Sequence, residues 1–354
     1  RFMDEDVWRA LSDEVLNTIV IKAREEGVGG DSSPRKVIEE YLHSMAVSNY
    51  NPIANYLDGI GEWDGSDHVS SLFNRLPGVS DEMKAYLRIW LRSMVAHWLQ
   101  MDTLHGNECV PVLIGEQGCG KSTFCNRLLP PELRSYFFDH ISFSNRFDLE
   151  MALTHALLVN IDEFNVMTPS QMAKLKQNLS KVKVNSRPIF GRTTEDRPRY
   201  SSFIATTNER HPLCDPTGSR RFLCIEIPSG EFIDNESPID YAQLYAQILH
   251  ELSLLGTRYW FTRDEENRIQ ELNSAFMKTD DIDMMIASSF DLENSESQGQ
   301  WMSGNEVVNV LCRNYSQLKA DSGLKLRLGK ALRYLGCKAK HTKRGQEYFL
   351  TTRK

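Results

Sequence analysis

The sequence predicts an α/β fold: a parallel central sheet around a phosphate-binding loop, a helical region before it and a small basic domain after it. Two observations carry the sheet. The run Gly115-Glu116-Gln117-Gly118-Cys119-Gly120-Lys121-Ser122 fits G-x-x-x-x-G-K-[ST]. It stands between the apolar stretch Val110–Ile114 and a helix-like segment that begins at Lys121, the strand–loop–helix context of such loops. Further on, three short apolar runs with buried-strand patterns end at Asp162-Glu163, at Thr207-Asn208 and at Ile227. A third observation, a basic stretch close to the end of an otherwise acidic chain, separates the last domain.

Taken in order, residues 1–105 read as mostly helical. Residues 83–100 place Leu87, Trp90, Leu91, Met94, Val95 and Trp98 at near-helical spacing, a packing face rather than a base-stacking one. Residues 106–228 form the α/β core. In the phosphate loop the glycines let backbone N–H groups turn inward, at the positive end of the following helix. Residues Gly115, Glu116, Gln117, Gly118, Cys119, Gly120, Lys121, Ser122 and Thr123 are the expected contacts to ATP. Lys121 reaches the β- and γ-phosphates, and Ser122 holds Mg²⁺. At the edge of the next strand Asp162 is the expected second Mg²⁺ ligand, and Glu163 the group that polarises the attacking water. The alternative is a core strand that ends in two solvated acids. Asn208, at the tip of another strand, can orient that water and sense the γ-phosphate, or simply cap a turn. The turn Asp215-Pro216-Thr217-Gly218-Ser219-Arg220-Arg221-Phe222 offers paired arginines, residues that stabilise charge on a transferring phosphoryl group.

Phosphate loop, acid pair, strand-tip Asn and arginines, in that order, resemble the superfamily 3 helicases within the AAA+ ATPases. The sequence is more closely similar to the virulence-associated E family, P-loop proteins of phages, plasmids and integrated elements. That resemblance rests on Arg187-Pro188-Ile189-Phe190-Gly191-Arg192, Arg197-Pro198-Arg199, Ala205-Thr206-Thr207-Asn208 and the arginine turn, with Asn51-Pro52-Ile53 and Trp63-Asp64-Gly65 upstream. It covers roughly residues 45–230. It implies a ring-forming ATPase, with a hexamer expected, in which Arg220, or failing that Arg221, reaches the ATP of a neighbouring subunit. It further implies a hairpin between Asp162 and Asn208 that grips one DNA strand, with Lys183, Arg187 and Arg192 as candidate contacts. A primase on the same or a separate chain is a further implied partner.

After the core, residues 229–240 read as a loop within a helical lid spanning 229–286. Residues 287–300, polar and Ser-rich, read as a linker. Residues 301–354 read as helix, helix, helix, hairpin. Within 324–335, Leu324, Leu328, Ala331, Leu332 and Leu335 share one face, while Lys325, Arg327, Lys330 and Arg333 fall largely elsewhere. Lys343-Arg344-Gly345 sits between two strand-like pieces. Helices followed by a basic hairpin predict a winged-helix-like domain that binds duplex DNA through Lys325, Arg327, Lys330, Arg333, Lys343 and Arg344. A generic capping domain is the alternative.

Charge supports this division. The formal net charge of the chain is −7, yet residues 319–354 carry +9 and the rest −16. A local basic stripe matters more for phosphate binding than the total. The seven cysteines contain no C-x-x-C pair and the nine histidines no ligand spacing, which argues against a zinc module and for a reducing, cytoplasmic location. No apolar run has the length of a membrane span. The first residue is Arg1, as expected for a piece of a longer protein.

These features predict an ATP-dependent DNA helicase acting on single- and double-stranded DNA. Two other classes share the nucleotide site: a DNA-bound switch that does not unwind, and a small-molecule P-loop kinase.

Overall fold

Capping residues and apolar periodicity set the helices that precede the sheet. The computed structural model describes all residues except 1, 5, 6, 10, 30, 31, 45, 48, 49, 102, 103, 187–193, 216, 217, 279, 280, 292–298, 316, 317, 343, 344 and 354. The chain opens with an antiparallel pair, β1 (Phe2–Asp4) and β2 (Val7–Arg9), within the region that the sequence predicts to be mostly helical. Helix α1 (Asp13–Glu25) starts from the Ser12 cap, and α2 (Arg35–Leu42) follows. Asn51 caps α3 (Pro52–Leu57), with Pro52 in its first turn, where a missing N–H costs nothing. Asp67 caps α4 (His68–Phe73) and Ser80 caps α5 (Asp81–Trp98). The α5 face predicted from the sequence is buried throughout, Trp90 at 0 % exposure.

The core then runs β3 (Val110–Ile114), α6 (Lys121–Arg127), β4 (Phe137–Phe138), α7 (Arg146–His155), β5 (Leu158–Ile161), α8 (Pro169–Leu179), β6 (Lys183–Ser186), β7 (Glu195–Pro198), β8 (Ser202–Thr207) and β9 (Phe222–Glu226). Five strands make one parallel sheet in the order β4-β5-β8-β3-β9, while β6 and β7 pair as a separate antiparallel hairpin. Both faces of the sheet are covered, which is why its strands read as continuous apolar runs. On one face Leu113, Leu158, Ile204, Leu223 and Ile225 join the core built with α5 and α6. On the other face Val112, Val159, Phe203, Ala205 and Cys224 pack with residues of α7 and α8.

Two helices follow the sheet, α9 (Tyr241–Ser253) and α10 (Arg263–Leu272), and α9 locks the N-terminal helices to the core. Tyr245 is fully buried, stacks on Trp98 at 5.5 Å between centroids, and donates its hydroxyl to the Leu128 carbonyl at 2.8 Å. Buried Gln247 donates to Asp67 and Glu251 and accepts from the Val69 N–H.

The remaining elements are α11 (Asp281–Ser289), β10 (Phe290–Asp291), β11 (Gln300–Ser303), α12 (Gly304–Asn314), α13 (Ser322–Tyr334), β12 (Ala339–Thr342) and β13 (Gly345–Thr352). Strand β13 pairs antiparallel with β10, β11 and β12. Ile282 and Ile286, which the sequence reading placed in the lid, pack with Val307, Leu311, Leu328 and Leu350 in a third core. The order after residue 300 is therefore strand, two helices, hairpin, with the first helix supplied from before the expected linker. Among the described residues, no helix is long and apolar enough to cross a membrane.

Candidate nucleotide site

Parallel pairing brings the sequence-predicted groups to one end of the sheet. The phosphate loop leaves β3, Asn208 follows β8, and Asp162-Glu163 follow β5, so the three lie on adjacent strands with β8 in the middle. Neighbouring strands lie about 4.8 Å apart, so Asn208 stands between loop and acids.

Two positions of the loop require glycine. Gly118 and Gly120 have φ of 86° and 93°. At Gly120 a Cβ would also lie 2.5 Å from Asn235 Nδ2. That contact belongs to a strap after β9, within the stretch 229–240 that the sequence predicts to be a loop. The Ile227 N–H donates to the Ile114 carbonyl at 2.7 Å, the Ile233 N–H to Cys119 at 3.0 Å and Asn235 Nδ2 to Gly120 at 2.9 Å. Ser229 Oγ donates to Glu116 Oε1 at 2.6 Å. Arg75 and Arg127 pin the strap through the Ser237 carbonyl, both at 2.8 Å. The strap carries no periodic pattern, because it is held by single polar contacts to separate segments and not by an apolar face.

Lys121 is buried and its ammonium is fully partnered. Nζ donates to the carbonyls of Gly115 and Glu116, both at 2.7 Å, and to Asn208 Oδ1 at 3.0 Å. An ammonium has three donors, so the lysine and Asn208 form one preorganised unit. Ser122 and Thr123 are exposed at the start of α6. Asp162 is exposed, with Oδ1 accepting from Thr206 Oγ1 at 2.5 Å. Glu163 has φ 50° and ψ 47°, a left-handed conformation that is costly for a residue with a Cβ. That strain holds an exposed carboxylate on the turn just beyond the strand. Behind it, Thr207 Oγ1 donates to Asn165 Oδ1 at 2.8 Å.

The arginines lie elsewhere. Phe222 pairs with Val110 and Glu226 with Ile114, so Arg220 and Arg221 stand at the opposite end of the sheet from the phosphate loop. At about 3.3 Å per residue the separation is roughly 15–20 Å, far beyond the reach of an arginine side chain. Arg220 is the more exposed, 43 % against 20 % for Arg221.

Of the candidate strand contacts, Lys183 is exposed at the base of the β6–β7 hairpin and ion-paired with Asp196. Arg187 and Arg192 fall outside the described residues, as do Lys343 and Arg344. On α13, Lys325, Arg327, Lys330 and Arg333 are all exposed. The last three line a cleft of about 910 Å³ together with Asp215, Met277 and Lys278, so that basic face is shared with the core rather than turned away from it.

One charged residue proved architectural. Arg199 is fully buried and donates to five carbonyls, those of Asn107, Asn178, Leu179, Lys181 and Ser201. Burial pushes its guanidinium down to about 9, still cationic at neutral pH. Two of those carbonyls close the C-terminal end of α8, where positive charge is favoured.

A parallel sheet with a lysine-bearing phosphate loop at its C-terminal end, strand-tip acids and a polar residue between them defines a P-loop NTPase. The chain belongs to the family of virulence-associated protein E-like domains, whose model matches residues 57–278. That span exceeds the expected one at its C-terminal side and stops before α11. No curated protein matches the sequence. Among solved structures, the chain is similar to the A form apo structure of the NrS-1 C terminal region, at 12 % identity and a TM-score of 0.46, covering 84 % of this chain and 78 % of that one. An apo structure of NrS-1 residues 305–718 matches over the same shares at 13 % identity and a TM-score of 0.45.

Proposed function

We propose that this chain is an ATP-dependent DNA helicase or translocase of a mobile element, acting as a ring, with a hexamer expected. The observation that carries the ring is the placement of Arg220 and Arg221 at the far end of the sheet from their own phosphate loop. If either of these two arginines stabilises a transferring phosphate, that phosphate is bound by a neighbouring subunit. ATP would bind between subunits, against the loop 115–123. Lys121 would take the β- and γ-phosphates, Glu163 would accept a proton from water, and Asn208 would orient that water.

The donor set fits Mg²⁺. Among the described residues no three His, Cys, Asp or Glu side chains converge as a metal cage. One hydroxyl, Ser122, and one carboxylate, Asp162, remain, the sparse oxygen set that this ion takes alongside phosphate and water. Bound there, Mg²⁺ would neutralise developing phosphate charge.

Strand contact is assigned to the β6–β7 hairpin through Lys183, Arg187 and Arg192, as phosphate contacts without sequence preference. The C-terminal unit reads as winged-helix-like on its order of helix, two short strands, two helices and hairpin. Its α13 cations and Lys343-Arg344 would hold duplex DNA.

The test is steady-state ATP hydrolysis over a range of protein concentrations, with and without single-stranded DNA, followed by strand displacement. DNA stimulation, with specific activity that rises with concentration, supports a ring motor. Hydrolysis stimulated by DNA without strand displacement supports the switch, and flat, DNA-independent turnover refutes the motor.

A further inference from the structure

The turn that bears Arg220 is held by α10. Asn273, directly after that helix, is 1 % exposed and spends both amide hydrogens on the turn, donating to the Ser219 and Phe222 carbonyls at 2.7 Å each. Those two carbonyls bracket Arg220 and Arg221, so the backbone of the turn cannot rotate without leaving a buried amide unpaired. From the first turn of α10, Glu266 Oε2 reaches Arg220 Nη1 at 3.2 Å. One nitrogen is engaged; the guanidinium carries four further N–H bonds for another acceptor.

Arg221 is built differently. It is one-fifth exposed, its Nη2 lies 3.7 Å from Glu108, and its Nε is buried at the end of the sheet without a hydrogen-bond partner. A side chain in that setting is not free to swing toward a second molecule.

We infer that Glu266 and Asn273 are positioning residues for the trans-acting arginine, and that this arginine is Arg220. Glu266 aims the guanidinium fork outward, and Asn273 fixes the backbone from which it projects. This rests on the proposed trans arrangement, and it makes α10 the element through which one subunit sets the hydrolysis rate of its neighbour.

Complementation separates this from a general effect on stability. Three variants are needed: Lys121→Ala, which lacks a working phosphate loop but keeps its arginine; Arg220→Ala; and Glu266→Ala. Mixing Arg220→Ala with Lys121→Ala restores hydrolysis if an arginine acts in trans, and no restoration refutes the ring reading itself. Given that restoration, Glu266→Ala alone should lower kcat about tenfold, the scale of one charged hydrogen bond, with KM for ATP unchanged. It should recover when mixed with Lys121→Ala and fail to recover with Arg220→Ala. Glu266→Gln, which keeps an acceptor, should retain most of the activity. Asn273→Ala should fall in the same group, recovered by Lys121→Ala alone. Unchanged kcat in Glu266→Ala overturns the inference while leaving the ring intact, as does recovery with Arg220→Ala. A Glu266→Ala chain that merely misfolds recovers in neither mixture, and the Asn273→Ala mixtures then decide. Restoration with Arg221→Ala in place of Arg220→Ala, Arg220→Ala itself being active, moves the role to Arg221 and equally overturns it.

Discussion

Replacing Arg199 by Met keeps the length of the stem and removes every donor. The guanidinium holds five buried carbonyls from three separate segments, at 2.7–3.2 Å. It joins the end of α8, the residue just before β8 and the residues just before β3, and its backbone directly follows β7. A hydrogen bond to a charged group is worth about 1.5–3 kcal/mol net, and the donors here are shared, so the bonds do not add in full. Relief from burying the cation offsets part of the loss. The balance is a destabilisation of about 3–5 kcal/mol, the range found when one side of a buried charged network is removed. For a core of this size that is a fall in Tm of roughly 10 °C. Lys at the same position keeps the charge but places three donors at one point and should recover about half of the loss. Thermal and urea unfolding followed by circular dichroism would measure both. A Met variant within about 3 °C of the parent would refute the assignment of Arg199 as the clasp of the core.

Three further outcomes are expected. Glu163→Gln should bind ATP with unchanged affinity and hydrolyse it about 10²–10⁴-fold more slowly; a parallel loss of binding would mean the strained turn, not the carboxylate, is what matters. Gly120→Ala should weaken ATP binding and cost about 1–3 kcal/mol, and Asn235→Ala added to it should restore only part, because the φ of 93° remains. Acid should unfold the helical layer first. At Asp67 burial raises the carboxyl, but hydrogen bonds from Gln247, Ser70 and Arg88 outweigh it and hold the group well below the usual range. Glu265 is held down to about 2, chiefly by Arg258 and also by Thr262. Both are lowered in the folded state, so below about pH 4.5 the unfolded chain binds more protons, and stability present above that pH is lost toward pH 2. Unfolding midpoints followed from pH 7 to 2 should show that fall blunted in Asp67→Asn and Glu265→Gln, and an identical fall in both variants would exclude these pairs.

The nucleotide end of the sheet was legible because its chemistry is local. A glycine-rich loop must follow a strand and open a helix, and acids at strand tips need only a short apolar run before them. Residues 110–123, 156–163 and 201–208 therefore announce themselves one segment at a time. The apolar face of α5 was legible for the same reason, since 3.6-residue periodicity is written along a single helix. The sequence by itself determined these elements and the concentration of positive charge after residue 319. Only the tertiary structure decided the strand order, which interposes β8 between loop and acids, and the distance of Arg220 and Arg221 from their own phosphate loop. It likewise decided that α11 belongs to the last core, that the strap near residue 235 braces Gly120, and that Arg199 is buried while the Arg220 side chain is about half exposed. Each of these depends on partners that are backbone carbonyls or residues far along the chain. A carbonyl is the same at every position, so no residue type marks where such a contact will fall.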